Sequence, residues 1–372
     1  MHTVLQTAEI IIIKRDFDAL RKIVLSLTSD VQTQMVPFTA LFCYEGITYL
    51  KGYDPSLEIE STSKYSIKDI RQKAKFFDLR INSLIQSINN VDTMQNEYYI
   101  QQMKCAQFGH MNLHTNLGIY YDHEKHIVGN THFEYYIFQD ENTIKKQQVV
   151  RTRLELEGKE IQAFGYDMGC IISSISSAFS KTSDFMDSDF MKIETPFLSQ
   201  DFNTNRVITD GNEKYKTIRL FLLHVLSSIG FILYCLKPRM IRDTGLLLRL
   251  EYITYHYALK RLDEIRNYCK NHKEEIHDPN LMETLESIDC SNGNKLRKQS
   301  FRNCMMHFGL KGKDDTPLIS IEEFDLARPF CGLIETQFSI SYIDYKSKIE
   351  KELSILYDSI DEYLGFNLLL KE

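Results

Sequence analysis

The chain has 372 residues and a formal net charge of −7, with 43% hydrophobic and 26% charged residues. This composition excludes a disordered tail, a collagen and a small disulfide-stapled domain, because the chain is long and apolar enough to bury a sizeable core. The acidic balance also argues against a protein that coats nucleic acid or an anionic membrane through its overall field. Any nucleic-acid site must therefore be a local basic patch.

The eight cysteines are scattered along the chain without a C-x-x-C pair. This usage is typical of a reduced intracellular protein and argues against a zinc ribbon or a redox motif. The first residues show no basic segment followed by an apolar core and a small-residue cleavage site. We therefore expect a cytoplasmic protein.

Apolar residues recur at helical spacing through most of the chain, which predicts a mainly α fold. The Tyr- and His-rich stretch 120–138 shows no clear period, and a short hairpin there stays open. Helices are expected at about residues 6–28, 64–89, 92–114, 150–179, 212–236, 243–271, 295–308 and 332–364.

Residues 194–212 contain Pro196, Gly211 and several Asn and Asp, without a helical stripe. We interpret this segment as a linker between two regions. The first, 1–195, is mostly helical and has an unknown sensor, partner-binding or regulatory role. The second, 205–372, is expected to form a helical bundle.

The stretch 220–236 is uncharged and approaches the length of a membrane-spanning helix. It contains His224, Ser227, Ser228 and Gly230, and no second apolar segment accompanies it. These features favour a helix at the centre of a bundle, so we expect no membrane association.

The chemistry-bearing motif lies on the helix expected at 295–308. Arg302 and Asn303 precede His307 there, and Gly309 follows as a candidate C-terminal cap. An imidazole in the last helical turn is tuned near neutrality and can exchange protons, while a guanidinium can bind a phosphate in two-pronged fashion. One face carries the polar motif, and the other carries an apolar stripe of Phe301, Cys304, Met305 and Phe308.

The motif stands in a basic segment of an otherwise acidic chain, which indicates a local anion-attracting patch. The alternative is an ordinary solvated helix face followed by a lysine-bearing loop. The candidate phosphate-binding residues are Lys295, Arg297, Lys298, Lys311 and Lys313.

The sequence Arg302-Asn303-Cys304-Met305-Met306-His307, on a bundle helix ahead of a long final helix, resembles the signature of the HEPN superfamily. The resemblance covers about residues 205–372. It implies an HEPN-like helical bundle that cleaves RNA without a metal or other cofactor, through attack of the ribose 2′-hydroxyl on the adjacent phosphate to leave a 2′,3′-cyclic phosphate.

Carried over to this chain, the resemblance makes His307 the general acid or base, Arg302 the phosphate ligand and Asn303 an orienting residue. It also implies a homodimer with one composite site, a toxin or antiviral abortive-infection role, and a possible antitoxin or regulatory partner. An inactive HEPN-like scaffold or RNA-binding protein is the alternative, because a fold does not determine an activity.

Two other places fit a looser form of the motif. Arg266 and Asn267 precede His272, with one more intervening residue, and Arg249 precedes His256 without the polar neighbour. We favour Arg302 because of its local charge and its place in the order of helices.

Five histidines lie close together in sequence but lack an H-E-x-x-H motif or paired cysteines, so no metal site is expected. They are His110, His114, His123, His126 and His132. Three tyrosines on the helix expected at 243–271 could stack RNA bases, although core packing is the favoured interpretation. They are Tyr252, Tyr255 and Tyr257.

Overall fold

The computed structural model confirms the mainly α fold, with thirteen α-helices and five short strands among the residues it describes. Those residues are 4–57, 61–76, 80–105, 115–138, 150–178, 189–208, 213–243, 245–273, 276, 278–288, 295–312, 316–319, 324–325 and 328–371.

The helices follow the chain in two groups. The first group is α1 (Val4–Ser26), α2 (Ser29–Lys51), α3 (Ile67–Ile70), α4 (Ile81–Cys105), α5 (Thr131–Ile137) and α6 (Val150–Ala178). The second group is α7 (Thr204–Val207), α8 (Glu213–Gly230), α9 (Leu246–Asn271), α10 (Pro279–Ser287), α11 (Gln299–Met306), α12 (Cys331–Phe338) and α13 (Tyr342–Leu364). A π-helical segment, Phe231–Leu236, continues α8 without a break.

Five short strands form two antiparallel sheets. They are β1 (Leu117–Tyr121), β2 (Ile127–Asn130), β3 (Asp189–Phe190), β4 (Leu198–Phe202) and β5 (Met240–Arg242). The larger sheet has the order β2-β1-β4, and the smaller sheet pairs β3 with β5. The β1–β2 hairpin lies largely within the stretch 120–138 and shows that the hairpin left open from the sequence is present.

The segment 194–212, interpreted above as a linker, contains strand β4 and helix α7. Ile119 pairs with Gln200 in the β1–β4 ladder, so this segment is part of the fold and the linker interpretation is wrong for these residues. The sequence of this segment was interpreted as a linker because a strand of five residues with alternating exposure shows no helical stripe. The separate roles of regions 1–195 and 205–372 stay predictions.

Several predicted helix boundaries are wrong. Helix α2 was not predicted, since it carries Pro37 in its interior. The helices expected at 64–89 and 92–114 are instead the short α3, which continues as a 3₁₀ helix over Arg71–Lys75, and the continuous α4. The first of these elements ends at Phe76, whose φ of 42° is left-handed. The final helix expected at 332–364 is split at Ser339, which has a φ of 57°.

The apolar stretch 220–236 lies in the core. Among the described helices, one segment is long and apolar enough to cross a membrane, Lys214–Arg239, and 89% of its most apolar window is buried. Helix α8 packs against β2 so closely that a Cβ at Gly230 would lie 1.9 Å from the carbonyl oxygen of Ile127. Only glycine fits there without a backbone shift.

The polar side chains of α8 have buried partners in the hairpin and in α5. Asn130 donates to the Ser227 hydroxyl over 2.8 Å, and the His132 Nδ1 lies 2.8 Å from the His224 Nε2. Burial lowers the pKa of His132 to about 4 and holds that of His224 well below its usual value, so this pair is neutral.

A second buried network joins α4, α7, α8 and the start of β1. Lys216 pairs with Asp92, and the Thr204 hydroxyl donates to the same carboxylate over 3.0 Å. Asn116 exchanges two hydrogen bonds of 2.8 Å with Thr204. These contacts satisfy polar groups that lie inside the core.

The deepest ion pair of the core joins the two halves of the chain. Arg249 on α9 is fully buried and donates to the carboxylate of Asp16 on α1, which is also buried. Burial raises the pKa of Asp16 to about 6, although the Arg249 charge opposes that rise. Arg249 also lies over the rings of Phe42 and Phe308, at 4.7 and 4.6 Å from their centroids.

We expect Arg249→Met to lower the free energy of unfolding by about 3–5 kcal/mol, because it leaves the Asp16 carboxylate buried and unpaired. The double variant Asp16→Leu/Arg249→Met removes both charges and should be more stable than the single variant, as measured by urea denaturation. Lys270→Met, which breaks an exposed ion pair with Glu286, should change stability by less than about 1 kcal/mol. A double variant less stable than Arg249→Met would contradict the interpretation that the single variant is destabilised by an unpaired Asp16 carboxylate.

Glu251 on α9 is fully buried, and neither of its carboxylate oxygens has a hydrogen-bond partner in the part of the chain that the structure describes. Burial raises its pKa well above the usual 4.5, so the folded state keeps the proton that the unfolded state loses as pH rises through 4.5. We expect this glutamate to reduce stability progressively above pH 4.5, by about 1.4 kcal/mol for each pKa unit of the difference. Glu251→Gln should match the wild type at pH 4 and exceed it in urea midpoint at pH 8, whereas the exposed Glu362→Gln should show no such divergence.

Candidate functional site

Helix α11 carries the motif and is anchored at its C-terminal end by Arg249. The Arg249 Nε donates to the Met305 carbonyl over 2.9 Å, and its Nη2 donates to the His307 carbonyl over 3.2 Å. The last carbonyls of a helix have no hydrogen-bond donor within the helix, and here the buried guanidinium of Arg249 is their donor. The motif helix is therefore held by α9 and, through Asp16, by α1.

His307 lies just beyond α11, which corrects the prediction that it occupies the last helical turn. Its backbone is extended, with φ −118° and ψ 169°. Gly309 lacks the positive φ of a helix-capping glycine. The apolar Met306 and Phe308 are both buried, and this alternation turns the imidazole between them outward.

The His307 side chain is 45% exposed and rests against a buried carboxylate. Its Nδ1 lies 2.6 Å from Oε2 of Glu45 on α2, whose side chain is only 5% exposed. The other carboxylate oxygen accepts from Arg71 Nη1 over 2.9 Å, and the Arg71 guanidinium lies 3.9 Å from the centre of the Tyr44 ring. An ionised carboxylate only accepts hydrogen bonds, so Nδ1 is the donor in this contact.

Arg302 points to a different neighbour. Its Nε donates over 3.1 Å to the hydroxyl of Tyr257 on α9, and its Nη2 donates to the same oxygen. Its Nη1 donates over 3.2 Å to Asn303 Oδ1, which also accepts from Gln299. Asn303 thus orients Arg302 within the helix.

Among the described residues, no hydrogen bond joins Arg302 to His307. The first contacts α9 and the second contacts α2, so α11 holds two separate groups along its length. Within one copy of the chain the motif therefore divides into two groups: the Arg302 guanidinium beside Tyr257, and the His307 imidazole paired with the Glu45 carboxylate.

The structure brings His256, from one of the looser motif matches, to the Arg302 group. Arg297 donates to the His256 carbonyl over 3.4 Å, and the His256 ring lies 5.0 Å from the Tyr257 ring. Burial lowers the pKa of His256 to about 3, assisted by the positive charges of Arg297, Arg302 and Lys260. We call Arg297, Arg302, Lys260 and His256 the cationic cluster.

The remaining basic residues of the sequence prediction lie before and after α11. Lys295 is exposed ahead of the helix, and Lys298, at its N-terminus, donates to the Gln337 carbonyl. Lys311 is exposed beyond His307, and Lys313 lies outside the described residues. Cationic groups therefore lie ahead of the helix, along it and behind it.

The looser motif matches have other roles. Arg266 pairs with Asp263 one turn earlier in α9. His272 ends that helix, where its Nδ1 lies 2.9 Å from the Tyr268 carbonyl and its ring stacks at 4.1 Å on the same tyrosine. Arg249 belongs to the core ion pair.

The three described histidines of the histidine-rich stretch do not form one site. His110 and His114 lie outside the described residues, and His123 is exposed. His126 bonds to the Asp122 carboxylate over 2.9 Å, and His132 is buried in the core. No group of three or more metal-binding side chains occurs in the part of the chain that the structure describes.

Sequence reasoning missed Glu45, Arg71 and the placement of His256 beside Tyr257, whose hydroxyl accepts from Arg302. No local signal could have identified Glu45, because it lies 262 positions from His307 and no motif surrounds it. Tyr252, Tyr255 and Tyr257 are buried, in agreement with the core interpretation, although the Tyr257 hydroxyl also holds Arg302.

No protein-family model, curated protein sequence or solved structure matches the chain. The HEPN resemblance is therefore carried by the motif and its helix.

The cationic cluster predicts the titration of His256. We expect this imidazole to stay neutral in an NMR titration until about pH 3, and its pKa to rise in Arg302→Gln because one nearby positive charge is removed. Arg266→Gln, on the same helix, should leave the His256 titration unchanged since Arg266 is not among the charges that act on it. An unchanged titration in Arg302→Gln would contradict the cluster.

Proposed function

We propose that this protein is a metal-independent endoribonuclease of HEPN type. The observation that supports the proposal is the half-exposed imidazole of His307, whose Nδ1 is held by a buried carboxylate and whose segment, residues 295–312, carries cationic side chains and no Asp or Glu. A histidine oriented in this way has one nitrogen available for proton transfer at a solvent-facing position.

In this proposal His307 Nε2 removes the proton of a ribose 2′-hydroxyl or protonates the leaving 5′-oxygen. The 2′-oxygen forms a bond to phosphorus as the bond to the 5′-oxygen breaks, and the product carries a 2′,3′-cyclic phosphate. Arg302 would bind the phosphate oxygens where negative charge accumulates, with Asn303 fixing the guanidinium. This reaction needs no metal ion or other cofactor.

The charge distribution supports a polyanionic substrate. The chain carries a net charge of −7, yet residues 295–312 contain cationic side chains and no Asp or Glu. The phosphates of one RNA strand could contact Lys295, Arg297 and Lys298 ahead of α11 and continue along the helix toward Arg302. Repulsion elsewhere on the acidic surface would direct RNA to this segment.

The proposal accounts for the separation of Arg302 from His307 within one copy of the chain. The resemblance implies a homodimer with a composite site, in which the two groups that one copy holds apart could act on one phosphate. An antiviral or toxin role, a regulatory partner and a cytoplasmic location belong to the same proposal.

A second candidate is an RNA-binding or scaffold protein without activity. It is favoured by the bonding of Arg302, whose Nε, Nη1 and Nη2 all donate to side chains of its own chain. In that case the cationic segment would bind RNA and His307 would serve only the contact between α11 and α2.

We expect the purified protein to cleave single-stranded RNA in EDTA, and His307→Ala to lower the rate by about 10²- to 10⁴-fold. The chemistry of the new ends, read by ligation before and after phosphatase and acid treatment, should show cyclic phosphates. His272→Ala is the matched control, because it removes a histidine at another helix end and should retain the activity.

Three results would contradict the proposal in different ways. RNA that is bound in a salt-dependent manner but stays intact favours the scaffold. Loss of cleavage in His272→Ala alone would place the motif at Arg266, and cleavage that EDTA abolishes would exclude a metal-independent reaction.

A further inference from the structure

The carboxylate of Glu45 comes from the first half of the chain, which the sequence left without a role. It is 5% exposed, belongs to α2 and reaches Nδ1 of His307 at 2.6 Å. We propose that Glu45 is a positioning residue that fixes His307 in the tautomer with its proton on Nδ1. This inference deepens the proposed function and rests on it for its catalytic consequence.

The geometry assigns each oxygen of Glu45 a separate partner. Oε1 accepts from Arg71 Nη1 over 2.9 Å, and Oε2 accepts from His307. Arg71 is itself held by its position 3.9 Å from the centre of the Tyr44 ring, on the residue next to Glu45. Because both oxygens are engaged, the carboxylate cannot rotate without losing one of two charge-assisted contacts.

The tautomer decides what His307 can do. With the proton on Nδ1, the outward Nε2 carries a lone pair and can accept a proton from a hydroxyl. With the proton on Nε2, the outward nitrogen is a donor, and the neutral ring cannot act as a base there. A carboxylate behind a histidine selects the first state and stabilises the imidazolium that forms.

The backbone of the same segment is held by a second glutamate of the first half. Glu9 on α1 accepts from the Leu310 amide over 2.8 Å and from the Tyr49 hydroxyl over 2.7 Å. Glu9 is buried like Glu45, and among the described residues no hydrogen bond joins it to His307. It therefore provides a control with a similar environment and a different partner.

The test is the tautomer of His307 in Glu45→Gln. Arg71 requires an acceptor, so the glutamine oxygen should face Arg71 and the amide nitrogen should face His307. That nitrogen donates, so Nδ1 must accept and the proton must move to Nε2. The substitution keeps the shape of the side chain and inverts the tautomer.

The readout is two-bond ¹H–¹⁵N correlation NMR of the full-length protein labelled at histidine, at a pH where the imidazole is neutral. The His307 signals are assigned by their loss in His307→Ala. We expect the proton on Nδ1 in the wild type and in Glu9→Gln, and on Nε2 in Glu45→Gln. A proton on Nε2 in the wild type, or an unchanged tautomer in Glu45→Gln, would overturn the inference.

The wild-type spectrum decides the matter by itself if Glu45→Gln does not fold. Where RNA is cleaved, Glu45→Gln should lower kcat by about 10²- to 10⁴-fold with KM for RNA unchanged, because Glu45 is buried behind the imidazole and the proposed RNA ligands lie in residues 295–312. The spectroscopic and kinetic results separate the two hypotheses. A wild type that does not cleave RNA refutes the proposed function, whereas its tautomer still tests Glu45.

Discussion

The buried ion pair between Asp16 and Arg249 is the contact on which the rest of the structure depends. It joins α1 to α9, and the same guanidinium also donates to two backbone carbonyls at the end of α11. Removing two charges from water costs several kcal/mol, and the attraction between them, together with the bonds from Nε and Nη2 to the two carbonyls, offsets this cost. Because those carbonyls belong to Met305 and His307, the position of the motif histidine is set in the core of the protein.

The first half of the chain completes the site of the second half. Glu45 orients the His307 ring, and Glu9 holds the backbone three residues later. Strand β4, after the midpoint of the chain, pairs with β1 before it. Helices α1 and α2 of the first half therefore contact the segment that carries His307.

Local periodicity predicted the elements that carry a long apolar stripe or a continuous apolar run. Helix α6 and the stretch 220–236 were both expected, because burial of one face or of the whole surface is visible in the order of residues. Helix α2 was not predicted because proline is unfavourable inside a helix, and α4 was predicted as two helices because its polar residues resemble a turn. Packing of α2 against its neighbours overrides the local preference at Pro37.

The sequence by itself determined the mainly α class, the buried central helix and the identity of Arg302, Asn303 and His307 as the motif, since these follow from residue type and spacing. Only the tertiary structure decided which partners those side chains have. Arg302 turned to Tyr257 and His307 turned to Glu45, because hydrogen bonds and ion pairs form between atoms close in space, whatever their separation along the chain. Spacing along one helix carries no information about the two other helices that pack on either side of it.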